Sequence, residues 1–250
     1  MAFITGAPTI GQLDLYQSST TAIGGFEVGQ LVAGKAGRFY RLALVGGSPT
    51  ALVMGNALQS SVIGTSYSNM AVGTAGVAGD TFLQVTNGSA TITSQQFEGG
   101  SLSVYTAGTV AVADEYTILG VTGTLTSAGA LTVQLDRPLR SAFTTSATVN
   151  MRRSPWSGVI QAPATTLTGT PAGFAMFATP ASTAVYCFVQ THGTGAVLSD
   201  GSSILVGSEI ALPSGTAGAV ILSSAGLAHV GYAMQAAASA KGIAAHILVD

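Results

Sequence analysis

Short segments in which hydrophobic and polar residues alternate are the feature that most constrains this chain. Residues 130–135 read ALTVQL and residues 147–152 read ATVNMR, so that apolar side chains occupy every second position. A period of two is typical of half-buried β-strands. Similar segments recur between glycine- and proline-containing turns, and no helical period is sustained. The sequence therefore predicts an all-β protein, with β-sandwich or β-barrel type units made of many short antiparallel strands and an extended N-terminal arm.

Shifts in composition divide the chain into four segments. Residues 1–24 lack a sustained period and are predicted to form an extended N-terminal arm. Residues 25–156 are predicted to form a first β domain, and residues 183–250 a second β unit. Between them, residues 157–182 are rich in Pro, Thr and Gly, which is typical of a connector. We expect the arm either to be disordered or to lie on a neighbouring molecule.

Two hairpins are predicted within the first β domain. Residues 81–86 and 89–93 flank Asn87-Gly88, the preferred two-residue turn, because both of its positions need positive φ. Residues 127–129, Ser-Ala-Gly, are predicted to form a second hairpin turn that leads into the strand at residues 130–135.

The charge content is low and nearly balanced. Only 7% of residues are charged, with 8 basic and 10 acidic residues and a net charge of −2, whereas about 25% is usual for a soluble domain. Bulk electrostatics therefore attracts neither nucleic acid nor a membrane surface. We expect a largely neutral surface that is partly covered by partner proteins. The alternative is a polar surface rich in Ser and Thr that needs no partner.

The single cysteine and the absence of long apolar runs limit which disulfides, signal peptides and membrane spans we expect in this chain. Cys187 excludes an intrachain disulfide, and its apolar neighbours predict a buried structural thiol. The first residues have neither a basic start nor a long apolar core, so no signal peptide is expected. Residues 210–228 contain Pro213 and several Ser and Gly, which favours strand, turn and strand over a membrane span.

Residues 29–36, GQLVAGKA, nearly match a phosphate-binding loop but end on Ala36. That position needs a hydroxyl group to hold Mg²⁺, and the motif needs a following helix, whereas the next residues have a strand pattern. We therefore expect no nucleotide site and no cofactor.

Catalytic and metal-binding patterns are also missing. His192, His229 and His246 have no second ligand at metal-binding spacing. Asp114 and Glu115 are neighbours in a strand and point to opposite faces, so they cannot flank one glycosidic bond. We interpret them as a solvated strand entry, and we expect no catalytic and no metal-binding residues.

Four arginines lie close together in the sequence: Arg137, Arg140, Arg152 and Arg153. Some of them converge if residues 131–135 pair with residues 147–152. The favoured interpretation is surface charge paired with Asp136 or Glu115. The alternative is a contact with an acidic patch on a partner protein, where Arg is a common anchor.

An ordered series of segments carries a resemblance to a known group of proteins. The series comprises GRFYRLA at residues 37–43, EYTILG at 115–120, LDRPL at 135–139, SPW at 154–156, FVQTHG at 188–193, VLSDG at 197–201, HVGYAMQA at 229–236 and ILVD at 247–250. From about residue 26 onward, this order resembles the virion structural proteins of tailed bacteriophages, specifically the capsid cement or decoration type.

The resemblance implies a non-enzymatic protein that binds the outside of an icosahedral head and braces it. It implies the major capsid protein and copies of the chain itself, as a homotrimer, as partners. It also implies synthesis in the host cytoplasm and a final place on the capsid exterior. Five residues of the N-terminal arm are then the expected contacts: Phe3, Ile4, Leu13, Leu15 and Tyr16.

Other interpretations remain open. The chain could be another virion component, such as a head fibre base or a tail protein. A carbohydrate-binding β protein would need clustered aromatic residues or paired carboxylates, and the single Trp and the scattered acidic residues disfavour it.

Overall fold

The protein is described by a computed structural model over residues 14–21, 23–46, 51–62, 67–88, 91–92, 96–106, 112–123, 126–181, 183–237 and 241–249. The expected all-β class is confirmed, since strands make up 48% and helix only 3% of the structure. The chain divides into two compact units. Unit 1 comprises Met1–Val62 and Gly158–Asp250, and unit 2 comprises Ile63–Ser157.

The strands follow one another in this order: β1 Ser18–Ser19, β2 Leu31–Ala33, β3 Phe39–Val45, β4 Ala57–Gln59, β5 Met70–Ala71, β6 Phe82–Thr86, β7 Ser101–Tyr105, β8 Val112–Gly123, β9 Ala130–Leu135, β10 Thr148–Arg152, β11 Ser157–Gln161, β12 Pro171–Ala175, β13 Val185–Leu198, β14 Glu209–Leu212, β15 Ile221–Leu222, β16 Ala228–Ala233 and β17 Gly242–Leu248. In the described part of the chain, the single-turn 3₁₀ helices Asp14–Tyr16 and Lys35–Gly37 precede β1 and β3.

Unit 1 is built on one eleven-stranded sheet. Its order is β15-β14-β16-β17-β13-β12-β4-β11-β3-β2, and β1 adds to β13. Because β13 pairs with β3 as well as with β12, the strands β13, β12, β4, β11 and β3 form a closed ring. Among the described residues of this unit, buried side chains cluster around Phe188 and Tyr40 and around Ile210 and Ile247.

β13 is the longest strand and connects the closed ring to the rest of the sheet. Its first part pairs with β3, and its last seven residues pair with β17. Where the partner changes, the buried Gln190 donates its Nε2 hydrogens to the carbonyls of His192, Gly193 and Thr194, at 3.0 to 3.1 Å. Gly193 has φ of +89°, a conformation that favours glycine. The side chain of Gln190 thus stabilises the irregular backbone at this point.

Unit 2 is a six-stranded sheet with the order β5-β10-β7-β8-β9-β6. A backbone bridge between Val72 and Val85 brings its two ends together, so that the sheet curls around its own core. Within the part of unit 2 that the structure describes, twenty buried residues belong to this core, among them Leu102, Tyr116 and Val133. Alternate residues of β9 point into it, as the ALTVQL pattern predicts.

One of the two predicted hairpins is present and the other is wrong. β8 and β9 pair around the turn at residues 127–129, where Ala128 has φ of 58°. β6, however, pairs with β9, and residues 91–92 lie outside any strand. The rest of residues 89–93 lies outside the described residues. Asn87 instead bonds to the carbonyls of Thr126 and Gly129. A strand distant in sequence thus outcompetes the local Asn-Gly signal.

The two units divide the chain differently from the expected sequence of domains. Residues 25–62 lie in unit 1, although we expected residues 25–156 to form one domain. The expected connector, residues 157–182, contains β11 and β12, which pair with β4 in the sheet of unit 1. Unit 2 is thus an insertion between β4 and β11. Composition does not detect such an insertion, because β4 and β11 meet only in space.

Candidate functional site

A carboxylate at the start of β8 organises the best-defined polar cluster of unit 2. The Asp114 side chain is only 5% exposed. It accepts hydrogen bonds from the hydroxyl of Tyr116 at 2.8 Å and from the backbone N–H of Glu115 at 2.9 Å. The guanidinium of Arg137 lies 3.1 Å from Oδ1, and that of Arg140 lies 3.8 Å from Oδ2. Arg137 also donates to the carbonyl of Glu115.

Opposing effects determine the pKa of Asp114. Burial raises it, but the hydrogen bonds from Tyr116 and Glu115 and the charges of Arg140 and Arg137 lower it more, and the pKa lies below its ordinary value of 3.8. Asp114 is therefore a carboxylate at neutral pH. The expectation of a solvated strand entry is wrong for Asp114, which is buried, and right for Glu115, which is exposed on the opposite face.

The four arginines are not brought into one patch by a pairing of residues 131–135 with residues 147–152. β10 pairs with β7 and β5, not with β9. Arg137 and Arg140 share Asp114, rather than the expected Asp136 or Glu115 side chain. Arg152 is exposed at the end of β10, and the guanidinium of Arg153 lies 5.9 Å from the ring centre of Phe97. The side chain of Arg140 remains 71% exposed and accessible to a partner.

The expected arm contacts have different positions. Phe3, Ile4 and Leu13 lie outside the described residues. Leu15 is buried in unit 1, in a cluster that includes Phe188 and Tyr40, so it anchors the segment to its own unit and is not accessible to a partner. Tyr16 is 43% exposed. β1 then pairs with β13, which means that the last part of the expected arm belongs to the sheet of unit 1.

Three neighbouring loop residues form an exposed apolar group in unit 1, which we call the apolar loop patch: Leu205, Val206 and Met234. They are 67%, 66% and 50% exposed. The backbone brings the two loops together, because Gly207 N–H donates to the carbonyl of Ala233 at 2.8 Å. The sequence analysis did not predict this patch, because nothing in residues 205–207, Leu-Val-Gly, indicates which loop lies beside that turn.

The sequence analysis also did not predict a row of aromatic and histidine side chains in unit 1. All three histidines of the chain lie on the adjacent strands β16, β17 and β13. The rings of His192 and His246 are 5.3 Å apart, and those of His229 and Tyr232 are 5.1 Å apart. The alternation in β17 could have placed His246 on the outward face. Its proximity to His192 depends on the pairing of β13 with β17.

The remaining expected features are local. Cys187 is buried, as expected, and burial raises the pKa of its thiol to about 12. Residues Lys35–Gly37 form a turn that leads directly into β3, so no helix follows the near-match to a phosphate-binding loop.

A cavity of about 70 Å³ in unit 2 is lined by Asp80, Phe82 and Gln84, among others. It is several times smaller than a typical ligand pocket.

No group of three or more His, Cys, Asp or Glu side chains within the described ranges is placed to hold a metal ion. None of the helical segments in that part of the chain has the length and hydrophobicity needed to span a lipid bilayer.

Comparison with known proteins gives no relative for this chain: no family model, no curated protein and no solved structure matches it.

Proposed function

We propose that this chain is a non-enzymatic viral structural protein that binds the outside of an icosahedral phage head and stabilises it. The apolar loop patch is the observation that supports this function best. Leu205, Val206 and Met234 are aliphatic side chains at half or more exposure. They lie within residues 154–240, which contain no Lys or Arg. Exposed apolar groups of this kind mark protein interaction sites.

A neutral, apolar contact suits a protein that covers a shell in many copies. Burying one Leu, Val or Met side chain contributes about 1.5–3 kcal/mol, and the cost of association offsets much of that gain. A single copy would therefore attach weakly. Contacts between neighbouring copies on the shell raise the effective concentration, and many weak contacts together hold the layer in place. This proposal includes the major capsid protein and further copies of the chain as partners.

The first test is the copy number of the chain in purified particles of the virus that encodes it. Quantitative mass spectrometry against the major shell protein should give a ratio of about one to one for a layer that covers the whole head. A ratio of about one to a hundred would move the chain to a fibre, a vertex or the tail. Its absence from the particles would overturn the structural role altogether.

A second test asks whether the apolar loop patch makes the contact. The double variant Leu205→Ser with Val206→Ser should lose at least about tenfold in binding to capsids that lack the chain, as measured by co-sedimentation, because a loss of about 1.4 kcal/mol is tenfold in affinity. Its thermal unfolding should be unchanged, since both side chains are exposed. Val77→Ser, at 62% exposure in unit 2, is the matched control. Equal binding by both variants would exclude the patch as the contact.

The N-terminal residues are the second proposed contact. Leu15 is buried in unit 1, so a deletion should stop before it. A chain without residues 1–13 should keep the unfolding temperature of the full chain and attach more weakly to capsids. Unimpaired attachment of that truncated chain would exclude Phe3, Ile4 and Leu13 as contacts.

A further inference from the structure

His192 and His246 lie diagonally across an antiparallel strand pair on the outward face of the sheet. Thr194 is opposite His246 and His192 is opposite Leu248, so the two histidines are two positions apart in the register of β13 and β17. Diagonal neighbours of this kind come within reach of each other when their side chains are long or aromatic. The ring centres are 5.3 Å apart, with an angle of 79° between the ring planes.

The packing around each ring holds the pair in position. On the side away from His246, the ring of Phe39 lies 5.7 Å from that of His192. Tyr232 is directly opposite His246 on β16. On the opposite face of β17, the neighbouring Ile247 is fully buried. Gln190 donates to the carbonyl of His192, which stabilises the backbone at the irregular part of β13. Both histidines therefore lie on rigid elements, which is the condition for a well-defined ligand site.

Both histidines are half-buried, so neither side chain is enclosed in the core. The ring of His192 contacts the rings of Phe39 and His246. Between residues that the structure describes, neither imidazole takes part in a hydrogen bond or an ion pair, so neither is engaged by a neighbouring polar side chain.

We propose that His192 and His246 together bind one first-row transition-metal ion, such as Zn²⁺, Ni²⁺ or Cu²⁺. The separation of the rings fits this geometry. A metal–nitrogen bond of about 2.1 Å, extended by about 1.1 Å to the ring centre, places each centre about 3.2 Å from the metal. If the angle at the metal between the two nitrogens is tetrahedral, the two ring centres are about 5.2 Å apart. The observed separation of the ring centres is 5.3 Å.

The site is an open one. Within the described ranges, no third His, Cys, Asp or Glu side chain joins the pair. Water, or a group from a docking protein, fills the other coordination positions. Imidazole nitrogen suits Zn²⁺, Cu²⁺ and Ni²⁺ rather than Mg²⁺ or Ca²⁺, and affinity rises from Ni²⁺ to Cu²⁺ and falls again at Zn²⁺. This selectivity distinguishes a histidine site from a nonspecific carboxylate site.

The test is a calorimetric titration of the full chain, purified without a histidine tag, with Zn²⁺, Ni²⁺ and Cu²⁺ chlorides. One ion should bind per chain, with the highest affinity for Cu²⁺. His192→Gln and His246→Gln should each weaken binding at least about tenfold, because either change leaves a single ligand. His229→Gln is the matched control, since His229 lies in the same sheet but contacts Tyr232. Mg²⁺ should not bind at the same concentrations.

A second measurement uses the unaltered chain and so does not depend on how the variants fold. Diethyl pyrocarbonate modifies accessible imidazoles, and peptide mass spectrometry locates the modified residues. Equimolar Zn²⁺ should slow the modification of His192 and His246 and leave that of His229 unchanged. Equal protection of all three histidines, or the same affinity for Cu²⁺ in the His192→Gln variant as in the original chain, would overturn the proposal.

Discussion

The hydroxyl of Tyr116 donates a hydrogen bond of 2.8 Å to the carboxylate of Asp114 from two residues further along β8. The same hydroxyl accepts a hydrogen bond of 3.0 Å from the backbone N–H of Arg140. Tyr116 is only 2% exposed and belongs to the core of unit 2. This pair thus connects the start of β8 with the segment that follows β9, and it does so through a charged group that is almost completely buried.

Replacing Asp114 with Asn should destabilise the chain by about 1–3 kcal/mol at pH 7, because it weakens charge-assisted hydrogen bonds from Tyr116 and Arg137. The two guanidinium groups are 45% and 71% exposed, and solvent screening limits what they add. Urea denaturation measures the loss. Asp136→Asn is the matched control, since Asp136 is exposed and accepts one backbone hydrogen bond, and it should change stability by less than about 0.5 kcal/mol.

The effect of the Asp114→Asn change should also depend on pH. The folded pKa of Asp114 lies below the ordinary value of 3.8. The free energy of unfolding that the ionised Asp114 contributes is therefore fully present above the ordinary pKa. It is lost as the pH falls through the lower pKa of the folded state. The difference in unfolding free energy between the original chain and the variant should be constant from pH 7 to about pH 5 and shrink toward about pH 2. A difference that grows on acidification would contradict this assignment.

The thiol of Cys187 should be unreactive in the native protein. Burial raises its pKa to about 12, and the thiolate is the reactive form. At pH 8, Ellman's reagent should label the chain only as fast as it unfolds, and fully and rapidly in 6 M guanidinium chloride. Rapid labelling of the native chain would show that Cys187 is accessible.

Leu15 and Tyr16 are adjacent but should respond differently to truncation. Leu15→Ala should destabilise unit 1 by about 2–5 kcal/mol, the usual range for a buried Leu, because Leu15 is only 4% exposed. Tyr16→Ala should cost less than about 1 kcal/mol, since Tyr16 is 43% exposed. Thermal unfolding of the two variants tests the assignment. If both variants unfold at the temperature of the original chain, Leu15 does not pack in the core.

Gly231 should not tolerate a side chain. Its φ is +151°, and a Cβ atom there would collide with the carbonyl oxygen of His246. Gly231→Ala should therefore destabilise the chain by about 2–4 kcal/mol, through backbone strain and a steric clash in the β16–β17 ladder. Gly226→Ala separates the two effects, because Gly226 also has positive φ but has open space around it. Similar losses for both variants would show that strain alone acts at Gly231.

The local features of the fold could be predicted from the sequence. Alternation in residues 130–135 correctly placed Leu131 and Val133 in the core, because the two faces of a strand are set by adjacent residues. The turn at residues 127–129 and the burial of Cys187 were also predicted, since both depend on close sequence neighbours.

The candidate sites were less predictable. Arg137 and Arg140 were identified as members of a charged cluster, but their partner is Asp114, which lies more than twenty positions away in the chain. The pairing of His192 with His246 and the apolar loop patch were not predicted at all. Both depend on which strands and loops are neighbours in space, and that information is not contained in either segment alone.

The amino-acid sequence by itself determined that this chain is all-β, where its clearest strands lie and that its surface is poor in charge. Each of these properties follows from the composition or from a period of two within a few residues. The tertiary structure decided that β6 pairs with β9 and that unit 2 is inserted into unit 1. The physical reason is that the hydrogen bonds of a β-ladder join backbone groups, which are the same in every residue. Side-chain packing across the whole unit therefore selects among partners that the local sequence leaves equivalent.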